Sequence, residues 1–380
     1  MFWFFFPVIV CLLTDKIVAS KYRTNYVKTV LTICLISVLA YVTSFGSVFS
    51  SDSSNNIIRY GQYTTFSSLL FSSSDLGVSR DAEVGYNFLC YLGNVLHLGG
   101  PGFFFVLTFV MNSIIVKTIL RFPNPIISML VYICSIVYIQ QTNLLRQSLA
   151  VSIFVLILYF IDNRKKIYVI CLFVLSIFIH TTSIITIPFV LLCFFDYSKY
   201  IKGVKLVLAA VWIFSLLDVL GVIHTSWTSS LLLYYLSDSS YGEFYDITDT
   251  LGTKSHFDIL GNIMFLFLLF FYKSEKHVIY VIVAMSACIL NNFAFNLPLL
   301  NRLVLYFMAA YCCIWGLALS RNVLIGNDKK RNIVLAQNVQ FVVLMLCMSY
   351  VVLKVIIYDN IICQGSLLGT DFYPLSKFFK

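Results

Sequence analysis

The stretch QTNLLRQSLAVSIFVLILYFIDNRKK, residues 141–166, carries Arg146 at one end of an apolar segment and the basic turn Arg164, Lys165 and Lys166 at the other. A second apolar segment, IYVICLFVLSIFIH, follows the turn and closes on His180. A short turn makes the two segments antiparallel neighbours. At a helical rise of about 1.5 Å per residue, Arg146 and His180 then arrive at the same depth, on the side away from the turn. No acidic residue lies within several positions of Arg146, which reads as an unpaired guanidinium at the mouth of a membrane helix. A guanidinium grips phosphate oxygens in a fork and stays charged at any pH, so the functional reading is an anionic ligand. The competing reading is snorkelling to headgroup phosphates. For His180 the pair of readings is proton transfer near neutral pH or a plain hydrogen bond to a backbone carbonyl. Ionisable residues that meet at membrane depth favour the functional reading.

The elements that must hold these residues follow from composition. The chain has 380 residues, 60% hydrophobic and 11% charged, with 35 Phe and 24 Tyr. Soluble domains carry about 25% charged residues, so this is the composition of a polytopic membrane protein. No hydrophilic block is long enough for a separate soluble domain, and residues 1–380 read as one integral membrane domain. The opening MFWFFFPVIVCLLTDK has no basic residue before its apolar run and no small-x-small cleavage site, so it reads as a retained first membrane segment. The 11 cysteines lie mostly inside apolar runs, with no CxxC or Cys/His ligand spacing, and act as small hydrophobes. Neither a metal site, a disulfide scaffold nor a cofactor is expected. The net charge of +9 flanks apolar segments and reports topology, not nucleic-acid binding.

Apolar runs near 2–14, 29–49, 101–120, 126–140, 146–162, 167–180, 182–196, 204–222, 259–272, 277–291, 303–320 and 334–357 predict about 12 transmembrane helices. Placing the loop 15–28 inside puts 18 of the 26 Lys and Arg residues at inner loops, as the positive-inside rule requires. The outer side keeps Arg59, Arg80, Arg146, Lys254, Arg302, Lys354, Lys377 and Lys380, and two long loops, 50–100 and 223–258. Acidic residues show the reverse bias, with Asp52, Asp75, Asp81, Glu83, Asp238, Glu243, Asp246, Asp249 and Asp258 outside. In EVGYNFLCYLGNVLHLGG the spacing of Tyr86, Leu89, Gly93 and Leu96 predicts a helix on or dipping into the outer surface. The second loop, with YYLSDSSYGEFYDITD, suits sugar rings and hydroxyls, or an interfacial aromatic belt.

The block LLRQSLAVSIFVLILYFIDNRKKIYVICLFVLSIFIHTTSIITIPFVLL resembles the core signature of the EpsG family. Its parts are an Arg-Gln-x-Leu-Ala helix start, a basic turn, and a helix ending in His-x-(Thr/Ser)-(Ser/Ala). EVGYNFLCYLGNVL is similar to that family's Glu-x-Gly-Tyr outer segment, and NRLVLYFMAAY to its Arg-x-x-x-Tyr-Phe helix. The resemblance runs from about residue 80 to 320 and is most specific over 141–192. The Asp-Tyr pattern of the first outer loop in such proteins is matched only loosely, by Asp52 in SDSSNNIIRYGQY.

The resemblance implies an all-α, GT-C-like helical bundle and a Wzy-type polymerase of bacterial exopolysaccharide, capsule or O-antigen. In that reaction a glycan on undecaprenyl diphosphate moves onto the next lipid-linked repeat unit, at the outer face of the cytoplasmic membrane. A flippase and a chain-length regulator are the partners such a pathway implies. The departing diphosphate needs its charge stabilised, which arginines can do without metal. Arg146 and Arg302 lead for that role, with Arg59 and Arg80 behind them. The acceptor hydroxyl needs a base, for which Glu83, His180 and Asp52 are available. Tyr86 and Asn87 either hydrogen-bond sugar or phosphate or pack an interfacial helix. Asp218, inside SLLDVLGVI, is a further candidate that can equally snorkel or cap. Two other classes stand beside the polymerase. One is a lipid-linked oligosaccharide flippase, for which an internal repeat and midplane polar residues would be expected. The other is a membrane O-acyltransferase, which a lone intramembrane His would suit.

Overall fold

The structure is a computed structural model that describes Pro7, Val10 and residues 25–49, 53–65, 83–141, 144–223, 259–272, 277–296 and 300–318. Among these residues all regular structure is helical. The helices are α1 (Asn25–Phe49), α2 (Ser53–Gln62), α3 (Val84–Val95), α4 (Gly99–Ile119), α5 (Pro125–Ile133), α6 (Ile136–Gln140), α7 (Leu145–Asp162) and α8 (Lys166–Ile179). After a 3-10 turn over Thr181–Thr186 come α9 (Ile187–Leu191), α10 (Ile201–Val219), α11 (Ile259–Phe271), α12 (Val278–Asn296) and α13 (Leu300–Ala318).

Helix α7 is apolar on every side, and a helix of that kind belongs in an interior. Ala150, Phe154, Val155, Ile157 and Leu158 are all fully buried. Helices α4, α8, α12 and α13 pack around it. Its C-terminus is closed by a Schellman motif: Lys165 N–H donates to Phe160 O at 2.8 Å and Arg164 N–H to Ile161 O at 3.0 Å. Arg164 takes the left-handed position, φ 55°, where glycine is usual. That turn folds α8 back along α7 as the antiparallel neighbour expected, with Phe160 stacked on Tyr168 at 4.9 Å.

By length and composition, Gly99–Ile119, Leu145–Asp162 and Val278–Phe295 are long and apolar enough to cross a membrane. The stretches Lys28–Ser44, Lys166–Ile179 and Arg302–Ala318, within α1, α8 and α13, are apolar as well. The described residues therefore carry three full-length spans where the hydropathy pattern alone gives about twelve. Two predicted segments are also broken. The run 126–140 is two helices interrupted at Ser135, whose hydroxyl donates back to Tyr132 O at 2.7 Å. The run 182–196 is a 3-10 turn, the five-residue α9 and another short 3-10 piece, with Pro188 at the start of α9. Segments 2–14 and 334–357 and the loop 223–258 lie almost wholly outside the described residues.

Polar side chains inside this bundle satisfy one another. Asn112, Tyr132 and Gln141 close a ring of hydrogen bonds of 2.7–2.9 Å that joins α4 and α5 to the end of α6. Asn262 and Asn292 pair amide to amide at 2.9 Å, with Trp212 and Ser215 at the flanks, and join α10, α11 and α12. Such pairs hold helices together where the apolar surroundings supply no water to compete.

Candidate active site

The surface segment predicted over 83–96 is helix α3, and the Glu-x-Gly-Tyr sequence sets how it docks. Gly85 lies against the last turn of α8: a Cβ built there would stand 2.7 Å from Phe178 O. Only glycine allows that approach. Glu83 immediately precedes the helix in extended conformation, φ −60° and ψ 135°, and its carbonyl accepts Tyr86 N–H at 3.0 Å and Asn87 N–H at 3.1 Å. With its backbone so engaged, the Glu83 side chain reaches across to α7 and α8.

There it meets both residues of the hairpin. Glu83 Oε2 accepts from an Arg146 guanidinium nitrogen at 2.6 Å, and Oε1 lies 2.6 Å from His180 Nδ1. Thr181 N–H points at the same Oε1 from 3.4 Å. The unpaired arginine of the sequence reading is thus a paired one. Its carboxylate lies 63 residues away in the chain, too far for local sequence to show. The Glu83 side chain is 7% exposed, His180 13% and Arg146 27%.

Burial alone would raise the Glu83 pKa. The His180 hydrogen bond and the charges of Arg146 and His180 outweigh it and hold the carboxyl at about 2. Glu83 is therefore a carboxylate, which only accepts, so His180 must carry a proton on Nδ1 and present Nε2 elsewhere. A carboxylate that orients an imidazole in this way prepares it to take a proton from a hydroxyl.

Helix α13 also packs on α7. Gln147, next to Arg146, donates its side-chain amide to Arg302 O, which anchors the first turn of α13 beside the start of α7. The Arg302 side chain is exposed. One turn further on, Tyr306 Oη lies 3.1 Å from both Thr182 Oγ1 and Ser183 Oγ, just after His180. Tyr86 is fully buried, with its ring 5.9 Å from the Arg146 guanidinium and edge-on to Phe103 at 6.4 Å. It supports the arginine from below.

Glu83, Arg146, His180 and Tyr86 thus meet directly, and Arg302 is tied to them through Gln147. Asn87 is half-buried one helix position after Tyr86. Arg59 lies on α2, which packs on α3. The Asn94 side chain fastens that contact by donating to Tyr60 O at 2.7 Å and Tyr63 O at 3.1 Å. Asp218 is buried, 2% exposed, on α10. Asp52 and Arg80 lie outside the described residues. Gly85, Gln147, Thr182, Ser183 and Tyr306 were not singled out by sequence reasoning. Their signal was positional, since each sits inside one of the three quoted motifs as a glycine or a polar group in an apolar run. Among the described residues, no group of three or more His, Cys, Asp and Glu is arranged to hold a metal ion.

The three motifs therefore converge on one place, and the match to known families covers all three. The family model described as EpsG family matches residues 58–362. The chain belongs to the EpsG family. EpsG family members are Wzy-like polymerases. No curated protein and no solved structure matches the chain. In this EpsG chain the Glu-x-Gly-Tyr segment supplies the carboxylate, the Arg-Gln segment the guanidinium, the His-x-Thr-Ser segment the imidazole, and the Arg-x-x-x-Tyr helix the clamp across them.

Proposed function

We propose that this EpsG-family protein is a bacterial surface-polysaccharide polymerase acting at the outer face of the cytoplasmic membrane. Its donor is a glycan on undecaprenyl diphosphate and its acceptor the next lipid-linked repeat unit. The observation that carries the reading is the Glu83 carboxylate shared between Arg146 and His180. In the proposed step an acceptor sugar hydroxyl attacks the anomeric carbon of the donor. The bond from that carbon to the diphosphate oxygen breaks, and the lipid diphosphate leaves with the electron pair. His180 Nε2 takes the hydroxyl proton, and Glu83 orients the ring. Arg146 keeps donors beyond the one given to Glu83, and with Arg302 it offsets the charge growing on the departing diphosphate. No metal is needed for that stabilisation.

Sidedness is supported by the opposite end of α7. Arg164, Lys165, Lys166 and Lys199 are exposed there, and Arg121 lies over Tyr159 at 3.5 Å. By the positive-inside rule that end is cytoplasmic, which turns Glu83, Arg146 and His180 outward.

The test is glycan length in a strain lacking the gene, complemented with wild type or Arg146→Ala at matched membrane levels. The expected result is single lipid-linked repeats in both the deletion and the mutant. Repeats trapped on the cytoplasmic leaflet would instead make the protein a flippase. Full-length polymer lacking one substituent would make it a modifying enzyme such as an O-acyltransferase.

A further inference from the structure

We propose that Tyr306 is a positioning residue for His180: its hydroxyl, held between Thr182 and Ser183, braces the turn that sets the imidazole against Glu83. The role assigned to His180 rests on the polymerase reading; the brace itself rests on geometry.

The directions of the hydrogen bonds follow from counting protons. Ser183 Oγ lies 3.1 Å from Ser176 O, which can only accept, so the single Ser183 hydroxyl proton goes there. Tyr306 Oη, 3.1 Å from Ser183 Oγ, must then donate to it. That uses the only proton of the tyrosine, so Thr182 Oγ1, also 3.1 Å away, must donate to Tyr306. The chain runs one way, from Thr182 through Tyr306 and Ser183 to Ser176 O. It ends on a backbone carbonyl and passes no proton onward. It is a brace and not a relay.

What it braces is the backbone around His180. His180 closes α8 in extended conformation, φ −156° and ψ 115°. Its N–H donates to Ser176 O at 2.9 Å, and its carbonyl accepts Ser183 N–H at 3.0 Å. Residues 176, 180 and 183 are thus one knot, and the Tyr306 hydroxyl ties it to α13 through the Ser183 side chain. The tyrosine is fully buried, so no water can replace its hydroxyl without repacking. Arg302 and Tyr306 are four residues apart on α13 and share a face. Arg302 O holds Gln147, the neighbour of Arg146, while Tyr306 holds the turn after His180. One helix thereby sets the spacing between the guanidinium and the imidazole. This gives the Arg-x-x-x-Tyr spacing a physical reason that phosphate binding by the arginine alone does not.

The experiment uses the full chain, purified from membranes, with a lipid-diphosphate-linked repeat unit as substrate. Tyr306→Phe is expected to lower kcat about 10- to 100-fold, the cost of a displacement of about 1 Å, with KM within about twofold. Thr182→Val removes only the donor to Tyr306 and is expected to act in the same direction more weakly. In a His180→Ala background, Tyr306→Phe is expected to cost nothing further. An undiminished effect in that background, or wild-type kcat in Tyr306→Phe, overturns the proposal. A readout free of any assumed reaction accompanies these. In protein carrying nitrogen-labelled histidine, the His180 Nδ1–H resonance, assigned by its loss in His180→Ala, reports the Glu83 contact. The brace predicts that Tyr306→Phe shifts or broadens this resonance, and an unmoved signal refutes it. If the resonance responds but wild type forms no polymer, the polymerase reading falls and the brace stands.

Discussion

Replacing Glu83 by glutamine keeps the shape of the side chain and removes the charge that Arg146 and His180 share. The folded carboxyl sits at about 2 against an ordinary 4.5, a gap of roughly 2.5 pH units. At about 1.4 kcal/mol per unit, the ionised carboxylate stabilises the folded protein by on the order of 3 kcal/mol over its protonated form. Because the folded pKa is depressed, that contribution is fully present above about 4.5 and is lost as pH falls toward about 2. Glu83→Gln is therefore expected to lose about 3 kcal/mol at neutral pH and to flatten the acid side of the stability curve. The loss of charge-assisted orientation at His180 adds a kinetic effect, about 100-fold or more in transfer rate. Thermal unfolding of the detergent-solubilised protein across pH 3–7, beside the glycan ladder in complemented cells, reads both quantities. A mutant with the wild-type ladder and the same pH dependence of unfolding would refute the argument.

Three further substitutions test the scaffold. Gly85→Ala places a methyl group 2.7 Å from Phe178 O and should lift α3 off α8, costing about 1–3 kcal/mol and most of the polymer; Gly61→Ala, with nothing within 4 Å of its Cβ, should leave both melting temperature and ladder intact. Arg164→Gly relieves the left-handed backbone at φ 55° and gives up only an exposed ion pair with Asp196, so unfolding should occur at the same or a higher temperature, with polymer length unchanged.

The hairpin of α7 and α8 was legible because a short basic turn between two apolar runs admits one arrangement. The depth match of Arg146 and His180 followed from helical rise alone. The third member of the site was not legible as a partner. Glu83 was weighed as a base, but nothing local ties it to α7; the tie is made by Gly85, whose lack of a side chain lets α3 touch the backbone of α8. Where the predicted segments break was not legible either, for a related reason. A buried apolar stretch reads the same in sequence whether it crosses as one helix or breaks, as it does at Ser135 and again after His180. Asp52 and Arg80, and the Tyr- and Asp-rich loop, lie where the described structure does not reach.

The separation of Glu83, Arg146 and His180 along the chain also sets a clock. Glu83 leaves the ribosome 97 residues before His180 and 63 before Arg146. At a synthesis rate of about 5–20 residues per second, the carboxylate waits on the order of 5–20 s for its last partner. Until Arg146 emerges, α3 has neither α7 nor α8 to lie on, and Glu83 has no counter-charge to bring it out of water. Burial of the site is therefore a late event in biogenesis, completed only when the returning arm of the hairpin is in place.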